Sequence, residues 1–292
     1  MRSALFAVAL ASLAASAAAA PKPAAKPPPP APVAAAAAKP GPADWRTPNP
    51  DDILVIDTNK GRIIVEMIPE VSPLFTARVR DLARAHFYDG LTFFRVIEGF
   101  MAQTGDPENR GTGGSKEPDL HGEFTFRRGP DTAFVLAADQ SVAEIGFIKS
   151  LPVMTQSMML APLTRDGKIS GWGLYCPGVA GAARGEDEAS ANSQFFLMRD
   201  GYPSLEKRYT AWGRVIVGQE VVRAIKVGEP APDPQDRMAR LRVLSELPEN
   251  EQPKIRVANL TGPWFKAELA RVRAARGADF TACDITIPTE VK

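Results

Sequence analysis

A mainly β fold, closing as an antiparallel barrel with helical lids, is what the sequence predicts, and three observations predict it. Short β-branched and aromatic runs recur from residue 51 onward, separated by Gly, Pro, Asn and Asp turn residues. Two intervening segments, 72–87 and 218–225, carry helix-start signals or helical spacing. Hydrophobic residues make up 45% of the 292-residue chain, ample material for a core. Many short strands with two helices favour closure over an open sheet.

The chain starts with MRSALFAVALASLAASAAAA. Arg2, the apolar run Ala4–Leu13 and the small residues after it follow the pattern of an export signal, cleaved near Ala19 or Ala20. The apolar run is too short to span a bilayer, which takes roughly 20 residues. Residues 21–50 hold eleven prolines and predict an extended spacer, a tether or a plain tail.

Folded structure is expected from Asp51. ILVIDT and RIIVEMI flank Asn59-Lys60-Gly61, a hairpin signal with glycine available for positive φ. Ser72-Pro73 reads as an N-cap and first helical residue, and Phe75, Val79 and Leu82 share one face of the helix that follows. LTFFRVI, then YTAWGRVIV (209–217), are further strands; GQEVVRAI (218–225) is a short helix and Leu241–Leu244 a last strand. Residues 248–292 read as an appendage with a helix around Trp264–Arg276 and a strand-like DITIP.

Composition excludes several chemistries. A net charge of +1 offers nothing to nucleic acid or an anionic membrane. Two histidines, His86 and His121, and two cysteines, Cys176 and Cys283, cannot assemble a structural zinc site, and no C-x-x-C occurs. No nucleophile–histidine set of a hydrolase can be drawn. The expectation is no metal and no cofactor.

Within LTFFRVI, Phe93, Arg95 and Ile97 share a face; within FMAQTGD, Met101 and Gln103 do. Parity cannot be carried through the Glu98-Gly99 turn, so whether Arg95 faces Gln103 stays open. The glycine-rich GTGGS (Gly111–Ser115) reads as a plain loop rather than a phosphate cradle, since it lacks the lysine spacing of one.

FYDGLTFFRVIEGFMAQTGDPENRGTGG, AARGEDEASANSQFFLMRD and SLEKRYTAWGRVIVGQEVVRAI, in this order, resemble the three signature blocks of the cyclophilin family of peptidyl-prolyl cis–trans isomerases. The resemblance covers about 51–247, with an insertion at about 126–179, followed by the extension 248–292. It implies an eight-stranded antiparallel barrel capped by two helices, with the active site on its outside. It assigns Arg95 as the catalytic arginine and Gln103 as its partner on the substrate backbone. It places Phe100, Met101, Phe196 and Leu205 around the proline ring, with Ala183, Arg184 and Gln194 along the bound peptide.

These residue types suit rotation of an X–Pro bond. The reaction breaks no covalent bond, and its barrier of roughly 18–20 kcal/mol comes from amide resonance. An apolar niche can strip water from the bond while a guanidinium donates to the twisted imide. No proton moves, so turnover should be flat from about pH 6 to 9.

The sequence departs from the family pattern at Phe94, where histidine is common and a barrel-supporting role is expected. Thr104 replaces a glycine and threatens to crowd the site; Ser204 replaces a pocket-mouth aromatic that Tyr202 could supply. SLPVMTQSMMLAPL in the insertion predicts a small satellite core, with a partner-docking surface as the alternative. Cys176 and Cys283 are either a disulfide or buried free thiols. The implied partners are proline-containing unfolded or extended polypeptides in a periplasmic or secreted setting, met by a monomer without stable membrane insertion. The alternative reading is a peptide-binding chaperone or scaffold of the same fold with little turnover.

Overall fold

The computed structural model describes residues 39–292; the leader and the spacer up to residue 38 lie outside the described residues. An eight-stranded antiparallel sheet dominates. Its order is Met238–Val243, Ile53–Thr58, Gly61–Met67, Ala211–Val217, Val179–Ala182, Phe195–Met198, Met101–Thr104, Arg95–Ile97. The hairpin forms as its turn residues require: Thr58 pairs with Gly61 around Asn59-Lys60, and Gly61 takes φ +135°.

The expected closed barrel is corrected. The sheet curls, but its end strands, Met238–Val243 and Arg95–Ile97, share no ladder; only isolated bridges involving flanking residues, Thr92 with Arg237 and Val96 with Gly228, link that side. Pro230, Pro232 and Pro234 lie in the chain along that edge, and a proline has no N–H with which to extend a ladder. LTFFRVI accordingly supplies only a three-residue strand.

Helix α1 (Pro73–Arg84) fills the curl with Phe75, Val79 and Leu82, which pack among Leu54, Ile56, Ile63, Phe195 and Trp212. Helix α2 (Gln219–Ala224) adds Val222 to the same core. The expected cap of α1 is reassigned. The Ser72 hydroxyl donates to the Glu123 carboxylate at 2.9 Å instead of accepting from the helix, and Glu123 accepts the N–H groups of Leu74 and Phe75, each at 2.9 Å. An anion at a helix start gains from the aligned peptide dipoles, so a distant glutamate does the serine's work.

ILVI is continuously apolar because both of its faces are covered. Leu54 and Ile56 point into the curl, whereas Ile53 and Val55 pack with Leu244, Leu247, Ile255 and Val257 beyond it. The spacer boundary moves as well. Trp45–Arg46 pairs with Ile255–Ala258, which pairs with Thr289–Val291, so residues 45–46 are folded. The extension's strand follows DITIP rather than occupying it.

The insertion builds a five-stranded antiparallel sheet, Phe126–Arg128, Ile169–Gly173, Leu151–Gln156, Ala143–Ile148, Phe134–Asp139. Leu151, Val153 and Phe147 join a core that also takes Phe265 and Val272 of helix α3 (Pro263–Arg276), with the Phe147 and Phe265 rings edge to face at 5.8 Å. The satellite core is thus partial: Met159 and Leu163 are more than four-fifths exposed. Cys176 and Cys283 form a disulfide across 107 residues, tying the extension to the strand-entry segment 174–178. Among the described residues no helix is long and apolar enough to cross a membrane.

Candidate active site

Strand register resolves the parity that sequence could not. Arg95 sits directly opposite Gln103, Gln103 opposite Phe196, and Phe196 opposite Gly181. Directly opposed residues of antiparallel strands project to one face, so four strands present these positions as a single row. Gly181 lets the row lie flat: a Cβ there would stand 2.3 Å from Phe196 Cζ, so the ring occupies the space a side chain would take.

A line of hydrogen bonds crosses that row. Arg95 Nη1 donates to Gln103 Oε1 at 3.2 Å, Gln103 Nε2 to Gln194 Oε1 at 2.9 Å, and Gln194 Nε2 to the Gly113 carbonyl at 2.7 Å. Arg95 Nε donates to Glu229 Oε1 at 2.5 Å, which fixes the guanidinium from its other side. The Nη2 group has no protein acceptor among the described residues and remains available to a ligand. Beside the glutamines runs a groove of about 440 Å³, walled by Gly111–Ser115 on one side and by Ala183 and Arg184 on the other.

Asp106 shapes the glycine-rich wall. Its buried carboxylate accepts the N–H groups of Glu108, Arg110, Gly111 and Thr112. Burial alone would push this carboxyl up, but the converging donors overcome it and hold it below the usual carboxylate range. With the Gly111 and Thr112 donors spent inward, the loop is no phosphate cradle.

The apolar residues gather in one cluster. Met101, Phe196 and Leu205 are buried and Phe100 is half-buried beside them. Three tyrosines surround them, of which sequence reading named only Tyr202. Tyr202 lies 4.4 Å from Phe100; Tyr209 meets Phe196 edge-on at 6.0 Å; Tyr175 stacks on Phe196 at 6.0 Å and 27°. Burial pushes the Tyr175 hydroxyl well above its ordinary range, so it stays neutral.

Ala183 is buried, and its N–H donates to the Gln194 carbonyl at 2.9 Å. Arg184 folds back to the carbonyls of Arg208, Gly185 and Glu186, with its guanidinium 4.8 Å over the Tyr209 ring. Thr104 does not crowd the row: it is fully buried and donates to the Thr92 carbonyl at 2.8 Å. Phe94 is buried under the glycine-rich loop, where a Cβ on Gly111 would come within 3.1 Å of its ring. Glu229 lay in a proline-rich stretch with no spacing to mark it, whereas Tyr209 stood inside a quoted block and was legible.

Comparison with known proteins bears on the family and the fold. Residues 53–243 match the family described as cyclophilin type peptidyl-prolyl cis-trans isomerase. A "Probable peptidyl-prolyl cis-trans isomerase" of Brucella suis is 30% identical over 194 residues, covering 63% of this chain and 76% of that protein. The crystal structure of cyclophilin AquaCyp293 from Hirschia baltica superposes with a TM-score of 0.79 at 33% identity, covering 86% of this chain and 94% of that one. Since that structure covers more of the chain than the family match does, the likeness reaches beyond the isomerase domain alone. The chain belongs to the cyclophilin family, and its activity is peptidyl-prolyl cis–trans isomerisation.

Proposed function

We propose that this isomerase acts on proline-containing extended segments of exported proteins, and that Arg95 is the group that lowers the barrier. The observation carrying this is the cross-strand row in which Arg95, fixed by Gln103 and Glu229, stands beside the Phe196 niche. A peptide in the groove would place its prolyl ring against Phe196, Met101, Leu205 and Phe100. The free Nη2 would then donate to the imide as it leaves planarity. Only contacts stronger in the twisted state speed the reaction, and a pre-positioned guanidinium pays no reorganisation when the bond turns. Gln103 would hold the peptide backbone, while Ala183 and Gln194 line its path. Arg184 serves that path through its backbone, its side chain being engaged elsewhere.

The export setting is supported by the signal-like residues 1–20 and by the disulfide, a bond that persists in oxidising compartments. A peptide-binding chaperone with little turnover draws support from the near-complete burial of Phe196, 4% exposed with Tyr175 flanking its ring at 6.0 Å.

A protease-coupled proline-peptide assay on wild type and Arg95→Ala separates the two. Loss of about 100-fold in kcat/KM, with peptide affinity changed by less than about threefold, supports the enzyme reading. Turnover that persists in the variant would remove Arg95 from the mechanism; turnover near background in wild type would favour the chaperone. Mass of the mature chain from a cell-envelope fraction, beginning at or just after residue 20, tests export.

A further inference from the structure

A second cavity, of about 510 Å³, lies where the curled sheet, the insertion and the extension meet, and it shares no lining residue with the peptide groove. Arg214 lines it from the Ala211–Val217 strand. Its guanidinium donates only to carbonyls, those of Ser150 at 3.1 Å and Ile285 at 3.5 Å, and no carboxylate stands within 4.0 Å of it among the described residues. The one acid directly across the ladder, Glu66, is taken: Arg46 grips both of its oxygens at 2.6 and 2.8 Å, and Ser150 N–H adds a third bond at 3.2 Å. Burial pushes the Arg214 guanidinium down to about 10, still fully charged at neutral pH. A half-buried cation without a counter-ion is unusual, because desolvating a charge is costly unless an anion compensates it.

Three further polar atoms around this cavity have no protein partner: the hydroxyls of Ser150 and Thr289, and the side-chain oxygen of Gln219. Ser150 is fully buried. Gln219 spends its amide N–H groups on the Met198 and Arg199 carbonyls, which leaves an acceptor. The wall therefore offers one fixed cation, and two hydroxyls and one acceptor lie closed to solvent just beneath its surface. At the rim Arg223 adds positive charge and Glu220 negative.

We propose that this cavity binds a small oxyanion bearing a hydrogen-bond donor of its own, either hydrogen phosphate or the carboxylate end of a free amino acid. The planar guanidinium takes either group in two-pronged fashion. On turning toward the cavity, Ser150 and Thr289 donate to the remaining oxygens, and the ligand's P–OH or ammonium group donates to Gln219. The site exists only where all three parts of the chain converge, since Arg214 and Gln219 come from the isomerase domain, Ser150 from the insertion and Thr289 from the extension. A bound anion would therefore clamp them together.

Isothermal titration of the full oxidised chain with inorganic phosphate, and separately with glycine, at fixed ionic strength in chloride buffer, tests this. Saturable one-site binding with Kd below about 1 mM is expected for at least one probe. The probe that binds identifies the source of the oxyanion. Arg214→Met should weaken binding by at least about tenfold and Thr289→Val by about threefold, with isomerase turnover unchanged in both. Should Arg214→Met fail to fold, Arg214→Lys, which keeps the charge but loses the fork, is expected to show about tenfold weaker binding. No saturable binding of either probe up to about 10 mM, or undiminished affinity in the arginine variants, overturns the site.

Discussion

Two carboxylates set the active row, each through a different partner. Glu229 holds Arg95 through Nε, leaving Nη2 without a protein acceptor among the described residues. Because the pair is half exposed, it contributes little to stability. Glu229→Gln should therefore leave the melting temperature within about 1 °C while lowering kcat about three- to tenfold, more than it alters KM. Unchanged kcat would show that Gln103 suffices to aim the guanidinium. Asp106 works from behind the glycine-rich wall, and Asp106→Asn replaces an acceptor of four N–H groups with a weaker one. A loss of about 2 kcal/mol in urea unfolding is expected, with weaker peptide binding because the wall relaxes. If Asp106→Asn unfolds and binds as wild type does, the wall stands without that carboxylate.

Among the elements, the strand Val179–Ala182 shows how a missing side chain can make a site. Gly181→Ala would drive a methyl group into the Phe196 ring, which must tilt out of its place. The expected outcome is at least about tenfold lower kcat/KM in a folded protein, because a displacement on the order of 1 Å at a catalytic surface is costly. Near-normal kinetics would mean that the ring finds an equivalent seat. Much at this scale was legible in sequence. The hairpin around Asn59-Lys60, helix α1 and the short α2 came from turn chemistry and periodicity, and the three motif blocks named Arg95, Gln103 and Phe196. What could not be read depended on contacts distant along the chain. Glu123 caps α1 from 49 residues away. The alignment of Arg95 with Gln103 depended on how a turn closes, and the proline-rich edge that keeps the sheet from closing carries no strand signal. The insertion read as an interruption because its five strands find partners mainly in one another.

In the whole molecule, ionised carboxylates and one covalent bond carry much of the condition dependence. Burial alone would raise Asp57, Asp89, Asp106, Glu144 and Asp236, but guanidinium and N–H donors outweigh it and hold all five below the usual range. Groups depressed on folding stabilise the native state above their unfolded values near 4, and that contribution is lost as pH falls through the folded values. Urea midpoints should hold level above about pH 5 and drop steeply below pH 4; a midpoint insensitive to acid would show that these partners add nothing net. The disulfide closes 107 residues, worth about 4–5 kcal/mol in the chain-entropy picture. Cys283→Ser should lower unfolding free energy by a comparable amount, and equal stability with and without the bond would contradict this.

Cys176 follows Tyr175 directly, and Tyr175 is the ring laid on Phe196. The sulfur bridge therefore ends one residue from the ring that flanks Phe196, the side chain proposed to receive the prolyl group. Material produced in a reducing cytosol would carry a loosened residue 175, so a batch's catalytic constants would record its oxidation history as well as its sequence.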